Sequence, residues 1–168
     1  IKIKDGKAVI VDMENTLRCF SLKDGKNLWS VPTELSVVSS QKKQSIVIVD
    51  NLVVFSNTVG DITAADFNTG EIIWQTPTQV LEFAKNITLR NSDLVSDGKL
   101  VFMSNNKNEF FAVDLKTGIL KWKQKINSEI RPVLVSDYLI TISNEGLMIV
   151  LNKADGNILR INDILKNI

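Results

Sequence analysis

The chain reads as an all-β protein, a β-propeller built of four-stranded antiparallel blades, and three observations predict it. A strand–turn–strand pattern recurs four times, at residues 19–29, 64–74, 112–122 and 150–160. The glycines at its turns, Gly25, Gly70, Gly118 and Gly156, are separated by 45, 48 and 38 residues. Between the copies lie short apolar runs punctuated by turn signals. Antiparallel units repeating at about 40–50 residues are the signature of propeller blades, which bury their faces only against neighbouring blades.

Two copies of the pattern are complete. Ala64–Trp74 and Ala112–Trp122 place alanine, aspartate, threonine-glycine and tryptophan at the same offsets. Cys19–Trp29 keeps Gly25 and Trp29 but has Ser21 for the aspartate, and Val150–Arg160 keeps Gly156 but ends on arginine. Each residue type has a mechanical role. The four glycines accept a left-handed turn without steric penalty. Asp24, Thr69, Thr117 and Asp155 stand just before them and can hydrogen-bond the turn backbone. Asp66 and Asp114 end a strand, where a carboxylate can accept turn N–H groups. Trp29, Trp74 and Trp122 offer a broad ring to wedge between blades, with an indole N–H for a neighbour's carbonyl. A repeated residue is explained by the repeat, so no copy is read as catalytic.

Two further strands precede each motif. The first are Ile1–Lys4, Ser45–Val49, Asp93–Ser96 and Val133–Ser136; the second are Ala8–Val11, Leu52–Phe55, Leu100–Met103 and Leu139–Ile142. The pairs Asp5-Gly6, Asp50-Asn51 and Asp97-Gly98 tolerate the positive backbone angles of a tight hairpin. Tyr138 in the pair Asp137-Tyr138 tolerates them poorly, which predicts another turn type there. Polar turns at Asp12–Asn15, Asn57–Asp61, Asn105–Glu109 and Asn144–Gly146 lead into the motif strands. The blades then span about 1–33, 45–78, 93–127 and 132–164. Runs such as Ile46–Val49 are apolar at successive positions, as suits a sheet covered on both faces.

The connections between blades differ in length: Ser30–Gln44, Gln75–Ser92 and only Lys123–Pro132. In a propeller of this topology they share one face with the turns between the second and third strands. Within the second connection Val80, Phe83, Ala84 and Ile87 recur at helical spacing, which suggests a short amphipathic helix. It either caps the propeller or packs on a blade, or it forms a partner-binding lip through Val80, Phe83 and Ile87.

Composition narrows the function. The 168 residues are 44% hydrophobic and 23% charged, ordinary for a globular protein. A net charge of +1 gives no electrostatic reason to expect nucleic acid. The apolar runs are too short to span a bilayer, and no targeting segment is visible at the N-terminus. There is no histidine and Cys19 is the only cysteine. That excludes intramolecular disulfides, cysteine-rich zinc sites and histidine triads within this chain. Cys19, at the place of Ala64 and Ala112, reads as a small buried residue. The acidic residues fall mostly at turns, with no spacing that assigns a calcium site. No catalytic residue, metal or cofactor is expected.

The pattern Ala-x-Asp-x-x-Thr-Gly-x-x-x-Trp resembles the tryptophan-docking motif of the pyrroloquinoline-quinone (PQQ) type propeller repeat, in two intact and two eroded copies. That resemblance implies either a quinoprotein dehydrogenase or a BamB-type lipoprotein of the bacterial outer-membrane β-barrel assembly machinery. Quinoprotein dehydrogenases often carry a vicinal cysteine pair that stacks on the quinone, and this chain cannot supply one. The short, regular blades look more like the BamB type. It implies a non-enzymatic, periplasmic scaffold that binds protein partners and reaches the membrane only through a lipid anchor upstream of residue 1. A fragment of a PQQ-dependent dehydrogenase is the alternative, and a PQQ-like sensor domain with an unrelated ligand is a third. The resembling families close rings of seven or eight blades, so four would be part of one. Terminal blade faces left bare would make the chain self-associate or aggregate.

Overall fold

A computed structural model describes residues 1–33, 44–57, 60–78 and 89–166. Every regular element among the described residues is a β-strand. The helix suggested over 80–87, with Val80, Phe83 and Ile87, lies outside them. The chain divides into two compact units, Ile1–Thr88 and Leu89–Ile168.

Unit 1 holds two sheets. The first contains β1 (Lys2–Lys4), β2 (Lys7–Val11), β3 (Thr16–Ser21) and β4 (Asn27–Pro32). The second contains β5 (Ile46–Val49), β6 (Leu52–Ser56), β7 (Ile62–Asp66) and β8 (Ile72–Thr76). In unit 2 the third sheet is β9 (Val95–Ser96), β10 (Leu100–Asn105), β11 (Glu109–Asp114) and β12 (Leu120–Gln124). The fourth is β13 (Val133–Val135), β14 (Tyr138–Ile142), β15 (Leu147–Asn152) and β16 (Ile158–Asp163). In all four, neighbours in the sheet are neighbours in the chain and run antiparallel. These are the meanders of propeller blades, so the fold class expected from the repeat is the one observed.

The opening hairpins follow their turn chemistry with one correction. Asp5 and Gly6 take φ of 47° and 72°, both left-handed, as a two-residue primed turn requires. Asp50 takes 50° and Gly98 takes 87°. In the fourth blade the turn is Ser136-Asp137 rather than Asp137-Tyr138. Val135 pairs with Tyr138, and Ser136 adopts φ of 52°. This register keeps the aromatic ring on the pleated surface and buries Leu139 completely. A one-residue slip would turn every side chain of β14 to the opposite face.

Within each unit the two sheets share one core. In unit 1 Val9, Leu17, Cys19 and Val31 of the first sheet meet Ile46, Val53, Phe55, Ala65 and Phe67 of the second. In unit 2 Phe102, Phe110, Ala112 and Trp122 meet Leu139, Ile149 and Leu151. Phe102 and Phe110 flank Trp122 with centroids at 5.9 and 5.8 Å. Truncating one such aromatic to alanine costs about 3–5 kcal/mol. The Cys19 thiol is buried here, and burial pushes its pKa up despite nearby Lys7.

A bulge recurs at one position of the motif. The last two strands change register between Cys19 and Phe20, Ala64 and Ala65, Ala112 and Val113, and Val150 and Leu151. Just before the shift, the small residue pairs with the tryptophan: Cys19 with Trp29, Ala64 with Trp74, Ala112 with Trp122. A bulge bends and twists its strand locally, and so re-aims a side chain. The bulge survives in the fourth blade, where the tryptophan does not.

Gly25 and Gly156 separate two costs of replacing a motif glycine. Both have positive φ, 71° and 74°, but a Cβ on Gly25 meets nothing within 4 Å while one on Gly156 would lie 2.6 Å from the Trp122 ring. Gly25→Ala is therefore expected to lose about 1 kcal/mol from backbone strain alone. Gly156→Ala should lose a further ~1–3 kcal/mol as the indole is displaced. Equal losses in denaturant melts of the two variants would contradict this packing.

Candidate functional site

The motif residues assemble into a contact between adjacent blades within each unit. In unit 1, β4 ends the first blade with Trp29, whose indole N–H donates to the Phe67 carbonyl at 3.2 Å. The ring lies against Gly70, where a Cβ would come within 2.8 Å of it. In unit 2 the Trp122 indole donates to the Lys153 carbonyl at 2.9 Å and its ring lies against Gly156. Gln124, two residues on, donates to the Gly156 carbonyl at 2.9 Å. Phe67 and Lys153 hold the same motif position, directly after Asp66 and Asn152. Glycine is needed twice over at this turn, for its positive φ of 77° or 74° and for the closeness of the ring.

The residue ending the third strand holds this turn in shape. Asp66 accepts the backbone N–H of Asn68 at 2.7 Å and of Thr69 at 2.9 Å, together with the Thr69 hydroxyl. Asp114 accepts the same set from Lys116 and Thr117 at 3.1 and 3.0 Å. Ser21 and Asn152 replace them with a single such bond, from Lys23 and Ala154. The threonine hydroxyls of Thr69 and Thr117 each accept the N–H two residues on. The Thr69 and Asn68 N–H groups hold the Asp66 carboxyl below its usual pKa. Burial pushes Asp114 upward, but the Thr117 and Lys116 bonds outweigh it and the net shift is down.

Lysines also latch the blades. Lys7 donates to Asn68 at 2.8 Å and stands 5.0 Å from the centre of the Phe67 ring, while Lys4 reaches the Asp50 carbonyl. In unit 2 Lys153 pairs with Asp97 at 3.2 Å and lies 3.9 Å from Asp137. Burial raises the Asp97 pKa, yet the N–H groups of Leu100 and Lys99 and the Lys153 ammonium bring it below normal. No spacing in the sequence points to these lysines, because they have no counterpart from blade to blade.

Among the described residues, two surfaces stand open to a partner. One is the turn face of unit 2. Arg90 exchanges backbone and side-chain bonds with Asn106 and stands 3.7 Å from Glu129. Asn144 donates to Asn127 and Glu129, Asn127 donates to Glu145, and Ile130 is half exposed among them. The other is the free edge formed by the last strand of each blade. Directly after each motif turn it exposes apolar side chains: Leu28, Ile72 with Ile73, Ile119 with Leu120, and Ile158 with Leu159. The first surface is the face on which the sequence gathers the inter-blade connections with the turns between second and third strands; the second is written in the motif as the apolar residues between glycine and tryptophan. Among the described residues, no group of three or more His, Cys, Asp or Glu is placed to hold a metal ion.

Residues 1–162 match the family described as outer membrane protein assembly factor BamB. The BamB of Yersinia pestis is 22% identical over 160 residues, covering 93% of this chain and 40% of the relative. Among solved structures, BamB from Moraxella catarrhalis superposes with a TM-score of 0.74 at 20% identity, over 94% of this chain and 50% of that one. A quinohemoprotein alcohol dehydrogenase from Pseudomonas putida HK5 gives 0.71 at 16% identity, over 95% and 33%. At these identities the structural likeness concerns the fold. This chain thus spans half or less of the proteins it matches.

The depressed carboxylates fix the direction of an acid response. A carboxyl with a lowered folded-state pKa contributes stability above its unfolded pKa of about 3.9, and that contribution is lost as pH falls through the folded value. NMR titration of Asp66, Asp97 and Asp114 should give midpoints below 3.9. Midpoints at or above it would mean that the turn N–H groups are not engaged in solution.

Proposed function

Because the chain belongs to the family of the outer membrane protein assembly factor BamB, we propose that it is a non-enzymatic, protein-binding scaffold of outer-membrane protein assembly. Its place would be the periplasm. The observation that carries this reading is the repeated apolar edge. Ile72 and Ile73 are 45% and 49% exposed, and Ile119 and Leu120 are 61% and 49% exposed, each pair at the start of an outer edge strand. Such an edge offers unpaired backbone groups beside apolar side chains, the combination that captures an extended peptide by strand addition. Chains destined to become membrane β-strands alternate apolar and polar residues, and would fit it.

The acidic motif residues support the same reading. Asp66 and Asp114 are committed to turn N–H groups, which leaves them structural rather than catalytic. A scaffold needs only that its edges be held rigid, and the interlocked blades supply that.

The test is titration of the folded chain with peptides copying single strands of an outer-membrane barrel. The unmodified chain should bind them saturably. Ile72→Lys and Leu120→Lys should leave the circular dichroism spectrum unchanged and weaken binding severalfold. PQQ with calcium should produce no heat in the same calorimeter. Peptide binding indifferent to both substitutions, or saturable quinone binding, would overturn the proposal.

A further inference from the structure

The outer edge of blade 3 departs from the repeat in one respect. The positions just before, just after and three after its motif tryptophan are all lysines: Lys121, Lys123 and Lys125. All three side chains are exposed. Blade 2, the other blade with a complete motif, has Ile73, Gln75 and Pro77 at those places, and neither of the remaining blades has a lysine at any of them. A residue common to the blades is explained by the repeat; a row of charge confined to one blade is not.

The lysines run along a strand edge. β12 is the last strand of its sheet, hydrogen-bonded on one side to β11. Trp122 and Gln124 are spent on docking to blade 4. Lys123 and Lys125 alternate with them along the chain, and Lys121 stands at the bulge. Two of the ammonium groups have carboxylate neighbours on β11: Lys121 lies 3.4 Å from Asp114 and Lys123 lies 2.6 Å from Glu109. Both carboxylates are shared. Asp114 also accepts the turn N–H groups of Lys116 and Thr117, and Glu109 accepts the Asn105 amide at 2.8 Å. An ammonium has three N–H donors, so one such contact leaves donors to spare. The side chains of Lys121 and Lys123 remain 45% and 43% exposed, and Lys125 has no ion-pair partner among the described residues.

We propose that the β12 edge selects an acidic strand: an extended segment of a partner polypeptide with Asp or Glu at alternate positions, set opposite Lys121, Lys123 and Lys125. This rests on the edge-binding function proposed above and adds which strand this edge takes. An added strand has the same rise per residue as β12, so its alternate side chains keep step with the lysines along the edge. Cross-strand neighbours of opposite charge stabilise a sheet, and like charges placed opposite one another destabilise it. For the same reason the lysines keep this edge from pairing with a copy of itself. The edge of β8, with Ile73 and Gln75 in the corresponding places, carries no such selection. Anionic headgroups would also attract lysines, but the placing of the row along a hydrogen-bonding edge favours a strand.

The test uses three peptides that alternate apolar and polar residues and differ only at the polar positions, which are all glutamate, all glutamine or all lysine. Titrated calorimetrically into the folded chain, the glutamate peptide should bind about tenfold more tightly than the glutamine peptide, by a margin that shrinks as salt is raised. The lysine peptide should bind most weakly. NMR shifts caused by the glutamate peptide should centre on β12 rather than β8. With Lys121→Gln, Lys123→Gln and Lys125→Gln combined, the preference for glutamate should vanish; with glutamate at all three positions it should invert in favour of the lysine peptide. Should the combined changes disturb the thermal melt, Lys125→Glu breaks no ion pair and should still narrow the preference severalfold. Glutamate and glutamine peptides bound equally, whatever stands at the three positions, would overturn this inference and leave edge binding in place. Failure of every peptide to bind would remove both. Lysine-dependent attachment to phosphatidylglycerol vesicles without discrimination among the peptides would overturn it as well, and give the row to a membrane surface.

Discussion

One contact governs this structure: an indole from the last strand of a blade laid against the glycine of the next blade's turn, its N–H on that turn's carbonyl. Trp29 makes it to Gly70 and Phe67, and Trp122 makes it to Gly156 and Lys153. A four-stranded blade has too little interior of its own, so its stability lies in what it buries against a neighbour. The tryptophan supplies a large apolar area together with a directional bond, which sets both the strength of the contact and its register. Most other motif residues can be understood as serving it. The small Cys19 or Ala112 leaves room beside the ring, the bulge re-aims the strand, and Asp66 or Asp114 fixes a turn in the shape that docking requires.

That division of labour bears on function. Asp66 and Asp114, residues of a type that elsewhere performs acid–base chemistry, are here engaged in holding turns. Asp66 and Asp114 are held below their usual pKa by turn N–H groups, and Asp97 by turn N–H groups and Lys153. Under the proposed function, recognition falls to backbone and apolar surface on the outer edges. The lysine latches set position as well, since Lys153 of the fourth sheet pairs with Asp97 of the third through side chains largely shielded from water.

Much of this was legible in the sequence because a repeat states its own rules four times over. The glycine spacing, the small residue opposite each tryptophan and the acidic turn residues all recur, and together they lead to four antiparallel sheets. Features present once were not legible. The hairpin at Ser136-Asp137 lies one residue before the pair Asp137-Tyr138 that the pattern of turns suggests, because burial of Leu139 selects the observed register. Lys4, Lys7 and Lys153 were invisible as latches, since a lysine near a turn looks like any solvated charge until its partner is placed. The exposed pairs such as Ile72-Ile73 lie inside the motif, where apolar residues in a strand suggest burial and only the bulge and the free edge leave them outside.

The central claim is that Trp122 couples two blades rather than merely filling one. Hydrogen exchange of Trp122→Ala tests it most directly. Loss of the indole should speed exchange in β12 and, more than thirty residues away, at the turn around Gly156, whose carbonyl and glycine face the ring. Acceleration at both sites together would show one cooperative contact. Faster exchange confined to β12, with the Gly156 turn as protected as before, would contradict the account.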